Sequence, residues 1–208
     1  MKIPLIIVIV ILSSFLSCKN ETKSYSVTQN INKKTNPALV QNQYQKYDTL
    51  FKKNPDWIAT DFEYPVGKPN AKGYYNAQKF EENNHLGDDW NGVGGGNTDL
   101  GDPIYAIGNG YVSFAKDIKG GWGNVIRIIH KYKGKYYESV YAHCDTIHIE
   151  EGDFVKKGTL IGTIGNAHGI YWAHLHLEIR DDIFMDIGGG YSEETSGYLD
   201  PTEFININ

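Results

Sequence analysis

Apolar positions along this chain fall into three regimes. After Lys2, residues Ile3 to Leu16 form an apolar run interrupted only by Pro4, Ser13 and Ser14. A bilayer span takes about 20 residues, so this run is short for one and suits the core of a signal peptide. Residues 19–45 are rich in Asn, Gln, Ser, Thr and Lys and lack any apolar period. They read as a flexible tether with an r.m.s. span of roughly 30 Å. From about residue 46 short β-like runs alternate with Gly, Asn and Asp punctuation. PIYAIGNGYVSFA (103–115) predicts two strands around a Gly-Asn-Gly turn. NVIRIIHKY (124–132) and KYYESVYAHC (135–144) predict a hairpin around Lys-Gly. TIHIE, DFVKKGTLIGTIG and HLHLEIR continue the series. No long amphipathic helix and no solenoid-length repeat is evident. The expected architecture is mostly antiparallel β, a sandwich or folded sheet, over residues 46–208.

Composition and charge narrow the setting. Phe15-Leu16-Ser17-Cys18 resembles the lipobox of bacterial lipoproteins, in which the cysteine is acylated and becomes the new N-terminus. That divides the chain into a signal peptide (1–17), a lipidated Cys18 with its tether (18–45) and a folded domain. It also places the protein in the bacterial cell envelope, held to a membrane by its lipid. A lipidated Cys18 leaves Cys144 without a partner, so stability must come from the core, a metal or both. The chain has 20 Lys and Arg against 25 Asp and Glu; without Lys2 the balance is 19 to 25, a net charge of −6. No basic face for nucleic acid is suggested. Abundant glycine and tyrosine fit a β-rich domain with tight turns.

Five residues carry the candidate chemistry: His85 and Asp89 in HLGDD, His143 in YAH, and His174 and His176 in HLH. A catalytic zinc keeps three protein ligands and leaves a position for water, so five groups divide into three ligands and two assistants. On a strand, His174, His176 and Glu178 share one face while Leu175, Leu177 and Ile179 fill the core. A plain polar surface stripe would show the same alternation. Gly87 and the glycine-rich sequel NGVGGGN predict a loop around HLGDD, where Asp88 and Asp89 compete for one role. A calcium loop over DDWNGVGGGNTD is disfavoured, because Val93 occupies the position that calls for glycine and Asp99 the one that calls for glutamate. His148 alternates with isoleucines as on an exposed strand face, and His130 ends an apolar strand and reads as hydrogen-bonded locally. Trp90 reads as a core residue.

Together these motifs resemble the lysostaphin-type (LytM-like) peptidoglycan zinc endopeptidases, over roughly residues 60–205. The pattern His-x-Gly-x-Asp, Tyr-x-His, His-x-His-x-Glu appears here as His85-Leu-Gly87-Asp88-Asp89, Tyr141-Ala-His143 and His174-Leu-His176-Leu-Glu178. The resemblance implies the antiparallel β architecture of that family (the duplicated-hybrid-motif kind) and one zinc ion per chain. It implies His85, Asp89 and His176 as ligands, choosing Asp89 over Asp88. His143 and His174 would orient and deprotonate the attacking water, since no His-Glu-x-x-His helix supplies a glutamate base. The substrate implied is peptidoglycan, cut at stem-peptide or crosslink bonds. The alternative is a catalytically silent member that binds wall or activates another hydrolase. Two departures stand out. Cys144 replaces the usual leucine after His143 and reads as a small core residue. NAHGIYWAHLH replaces a short Ser-Thr-Gly-Pro turn, which brings His168, Tyr171 and Trp172 forward as candidate substrate-binding residues. EGDFVKKGTLIGTIG also resembles the hairpin of lipoyl and biotinyl carriers, although Lys156-Lys157 stands before a glycine rather than in the tight turn.

Overall fold

The computed structural model describes residues 37–208; the expected signal peptide, Cys18 and most of the tether lie outside the described residues. Ten strands and two helices follow in chain order: α1 (Pro37–Lys53), β1 (Tyr74–Gln78), β2 (Asp88–Gly92), β3 (Pro103–Tyr105), β4 (Gly110–Asp117), β5 (Asn124–Tyr132), β6 (Lys135–Cys144), β7 (Phe154–Val155), β8 (Leu160–Thr163), β9 (Leu175–Arg180), β10 (Tyr198–Leu199) and α2 (Pro201–Ile207). The main sheet is antiparallel throughout, in the order β1-β2-β9-β6-β5-β4-β7, with β10 also pairing with β9. β3 and β8 form a second, two-stranded sheet. The mostly antiparallel β architecture expected from the sequence is thus the one observed.

The β5–β6 hairpin closes where predicted, with Tyr132 opposite Lys135. Lys133 and Gly134 both have positive φ, 48° and 79°, as a two-residue type I′ turn requires. Segment 103–115 does form two strands, but they part company. β3 joins β8 in the small sheet while β4 joins β5 in the large one. TIHIE is not a strand. It touches the sheet through a single bridge, Ile147 to Gly162. Its alternation is nonetheless real, with both isoleucines packed against the core and His148 exposed.

The central strands are buried on both faces, and all six residues of β9 are buried. One face carries Ile126, Ile128, Tyr141, Leu175, Leu177 and Ile179 against Ile104, Ile161 and Ile164 from around the small sheet. Cys144 belongs to this core. Burial pushes its thiol up to about 12, so it stays an unreactive thiol near neutral pH, as its core reading requires. The opposite face carries His176, Glu178 and Arg180.

Helix α1 departs from expectation, because it takes in residues 37–45 of the stretch read as tether. Its buried and half-buried apolar side chains recur as Tyr44, Tyr47, Leu50 and Phe51, a helical stripe diluted by polar neighbours. Packing is what makes the stripe count. Tyr44 meets Phe184 edge-on at 4.6 Å, Tyr47 meets Tyr111 at 6.1 Å, and Phe51 meets Phe154 at 6.1 Å. Asp48 is bound by Lys131 at 2.8 Å and Tyr136 at 2.6 Å. None of these partners is local in sequence, so the helix is specified by tertiary contact rather than by propensity. Phe51 is fully buried. Phe51→Ala should therefore cost about 3–5 kcal/mol of stability, read from urea unfolding. A change under about 1 kcal/mol would show that α1 is not docked in solution.

Candidate metal centre and its cleft

Strand register separates the two neighbouring aspartates. HLGDD was expected to be a loop, but from Asp88 onward it is strand β2, paired along β9 with Asp89 directly opposite His176. Residues opposite each other in a sheet share a face, and successive residues on one strand do not. Asp89 therefore meets His176, while Asp88 turns the other way. Asp88 accepts from Phe80 N at 3.1 Å and from Thr202 Oγ1 at 2.6 Å, which ties β2 to α2. The glycine at 87 is needed because a Cβ there would stand 2.4 Å from the Leu177 carbonyl oxygen. The same strand removes the calcium-loop reading, since Asp99 instead accepts from Gly92 N at 2.7 Å.

His85 Nε2, His176 Nδ1 and Asp89 Oδ1 converge. His85 to His176 is 3.0 Å, His176 to Asp89 is 2.9 Å and His85 to Asp89 is 3.3 Å. Among the described residues this is the one group of His, Cys, Asp or Glu that could hold a metal ion. A tetrahedral zinc with bonds of about 2.0–2.1 Å separates its ligand atoms by roughly 3.3 Å, close to this triangle. Two imidazole nitrogens and a carboxylate oxygen form a donor set suited to zinc. His176 Nε2 lies 3.1 Å from Glu178 Oε1. The carboxylate accepts, so Nε2 carries the proton and the Nδ1 lone pair is left for the triangle. The residues present fit the ion that the motifs implied.

Electrostatics agree. Burial alone would raise the Asp89 carboxyl, yet its hydrogen bonds with His176 and His85 outweigh this and hold it far below the ordinary range. Burial disfavours a charged His176, but hydrogen bonds with Asp89 and Glu178 push its pKa up to about 9. In the metal-free chain a proton sits where a cation would otherwise neutralise Asp89.

His143 and His174 stand on one side of the triangle, their rings 4.7 Å apart. His174 Nε2 lies 3.8 Å from Asp89 Oδ1, while its Nδ1 donates to the Trp172 carbonyl at 2.8 Å. That bond fixes the tautomer and leaves the Nε2 lone pair facing the site. His143, the penultimate residue of β6, has φ of 61°, a left-handed bend that histidine tolerates better than most residues. Asn124 Nδ2 clasps this bend by donating to the Cys144 and Asp145 carbonyls at 3.0 and 2.9 Å. Burial, then the neighbouring imidazoles of His176 and His174, push His143 down to about 3, so it is neutral near neutral pH.

These groups line a cleft of about 1020 Å³. Tyr171 and Trp172 line it too, and Trp172 is 69 % exposed, so neither is a core residue. His168 does not line it. Ala167 and His168 have φ of 49° and 60°, and His168 Nε2 instead meets Asp117 Oδ2 at 3.2 Å. The structure therefore sets His168 beside Asp117, apart from the residues that line the cleft. Lys156 and Lys157 are also committed elsewhere, to the Asp56 carbonyl with the Trp57 ring and to Asp61, unlike a presented carrier lysine. His130 is satisfied on both nitrogens, by Asn109 O at 2.8 Å and Ser139 Oγ at 2.7 Å.

Sequence reasoning passed over several cleft residues. Trp122 lies 5.5 Å from the His176 ring, and Tyr191 tilts over His85 at 5.1 Å with its hydroxyl on Gln78. Asn91 and Asn97 bracket Ala173 by bonding its carbonyl at 3.3 Å and its N–H at 2.8 Å, which sets the backbone just before His174. The one signal available was glycine beside aromatic, in GGW and GGGY.

Comparison with known proteins identifies relatives of this chain. The family model described as Peptidase family M23 matches residues 89–187, a span that holds Asp89, His143, His174 and His176. Lipoprotein NlpD of Yersinia enterocolitica is 42 % identical over 80 residues, which are 38 % of this chain and 78 % of that protein. Murein hydrolase activator NlpD of Escherichia coli (strain K12) is 40 % identical over 80 residues, 38 % of this chain but 20 % of the relative. The catalytic domain of lysostaphin from Staphylococcus simulans aligns with 25 % identity and a TM-score of 0.46, covering 70 % of this chain and 88 % of that domain. With a relative matched over most of its length and the family's span enclosing four of the five candidate residues, this chain belongs to peptidase family M23.

Proposed function

We propose that this chain is a zinc-dependent endopeptidase that hydrolyses peptide bonds in the stem peptides or crosslinks of peptidoglycan. The observation that carries the reading is the convergence of His85, Asp89 and His176 within 3.3 Å of one another, beside two further histidines. In this reading those three would hold one zinc ion, which would supply Lewis acidity to a water and the scissile carbonyl. His174 takes the proton from the attacking water through Nε2, since its Nδ1–H is committed to the Trp172 carbonyl. His143, held neutral by burial, orients that water while His174 takes the proton. Tyr171 and Trp172 on one loop and Tyr191 on another bracket an extended peptide in the cleft. Cys18 carries the lipid, and the residues after it place the domain over the wall beside its membrane in the bacterial envelope.

Digestion of defined muropeptides, with and without chelator and with mass analysis of the products, tests this. Cleavage that stops on chelation and returns with zinc is expected; full activity in metal-free protein would end the reading. A second reading, a silent wall-binding or hydrolase-activating lipoprotein, draws on the name murein hydrolase activator borne by the Escherichia coli relative. The presence of all three donor residues and both assistants argues against it. Metal analysis separates the two, because a silent protein has no need of one zinc per chain.

The proton on His176 has a measurable consequence. Its pKa of about 9 means that zinc uptake at pH 7 must displace a proton. Zinc affinity should then rise roughly tenfold per pH unit as pH climbs toward about 9, and level off above it. Titration calorimetry in buffers of different ionisation enthalpy reads the released proton directly, and a heat independent of buffer would contradict it.

A further inference from the structure

On the side away from the cleft, His176 hands its N–H to a chain of buried charges. Glu178 Oε1 accepts from His176 Nε2 at 3.1 Å, and Glu178 Oε2 accepts from Arg180 Nε at 2.9 Å and Nη2 at 2.5 Å. Arg180 Nη1 lies 3.7 Å from Glu138 Oε2, and Arg127 grips both oxygens of Glu138 at 2.9 and 2.7 Å. Glu178 and Arg180 are fully buried and Glu138 nearly so. Register explains the alignment, since His176 and Arg180 lie opposite Ala142 and Glu138 on β6. A buried ion pair is weak evidence for stability, because apolar residues of similar volume usually serve a core as well or better. The chain calls for another account.

Its second set of contacts supplies one. Both arginines donate to consecutive carbonyls of the segment after β9: Arg127 to Met185 at 2.8 Å, Arg180 to Asp186 at 3.1 Å and to Ile187 at 2.8 Å. The next residue, Gly188, accepts from the Trp122 indole at 3.1 Å, and Gly190 accepts from Leu86 N at 2.9 Å. That segment ends at Tyr191, against His85. One buried network therefore touches both the back of His176 and the wall of the cleft.

We propose that Glu178 and Arg180 are positioning residues that lock His176 with Nδ1 toward the metal position and, through the 185–191 segment, set the cleft wall in register with it. The proposal rests on the reading of His176 as a metal ligand. Glu178→Gln should keep the fold yet weaken zinc binding by about 10- to 100-fold, measured by competition with a fluorescent chelator. The Trp122 indole N–H, assigned with Trp122→Phe, should exchange faster with solvent in that variant. Equal zinc affinity and unchanged indole exchange would overturn the proposal. If Glu178→Gln fails to fold, Glu178→Gln/Arg180→Met removes both charges and should show the same two changes. The native zinc-loaded chain decides independently: its His176 should show a slowly exchanging Nε2–H in imidazole NMR, and ligation through Nε2 instead would refute the lock. A native chain that takes up no zinc would sink the peptidase reading itself, whereas native uptake with an unaffected variant sinks only this inference.

Discussion

His176→Ala should abolish muropeptide hydrolysis and zinc retention while leaving a folded, soluble domain. His176 is the corner of the triangle with the shortest contacts to both others, at 3.0 Å to His85 and 2.9 Å to Asp89. Two donors hold zinc poorly when three are the usual number at a catalytic site. The loss in kcat/KM should exceed the roughly 10²–10³-fold that one lost oxyanion donor costs, because the whole electrophile departs. Folding should survive because the core face of β9 is built from Leu175, Leu177 and Ile179, which the substitution does not touch. Circular dichroism, bound-metal analysis and product mass spectra together check this. Retained cleavage by a folded, zinc-free variant would remove the metal from the mechanism.

Gly165→Ala should be nearly as damaging, with a different signature. A Cβ at 165 would stand 2.2 Å from the His143 carbonyl oxygen and 2.4 Å from Asp145 N, both backbone atoms that must then move. Gly165 also accepts the backbone N–H of His174 at 3.1 Å. One methyl group therefore pushes on both assisting histidines at once and on none of the three expected ligands directly. A displacement near 1 Å at a catalytic group can cost about 10²-fold. We expect kcat to fall by roughly that factor, with zinc content retained. Loss of zinc in step with activity would mean that the strain spreads into β9, and an unchanged kcat would mean that the bend at His143 yields without consequence.

The two variants also separate what a reader of the sequence alone can reach. The strand periods of β5, β6 and β9 and the Lys133-Gly134 turn are local patterns, and they were legible. So were the five histidine and aspartate positions, because their order and spacing survive in a linear string. Helix α1 was not legible. Its stripe of Tyr44, Tyr47, Leu50 and Phe51 is weak until Tyr111, Phe154 and Phe184 arrive from far along the chain. TIHIE alternates as a strand would but lacks a neighbour to pair with over its length, so alternation alone misled. The HLGDD segment was misjudged for the converse reason, since Gly87 reads as a loop residue but is there to let β9 pass within contact.

By itself, the sequence determined the chemistry on offer: which nitrogen and oxygen donors exist, which strands alternate, and which family pattern they spell. The tertiary structure decided which way those donors point. Pairing of Asp89 with His176 across β2 and β9 turns Asp88 away from the triangle, the physical counterpart of the choice that the family pattern implies. Left-handed residues at 167 and 168 place His168 on Asp117 and outside the cleft. The physical reason is common to both. A side chain's type is fixed by its codon, but its direction is fixed by strand register and backbone dihedrals, which depend on partners distant in the chain.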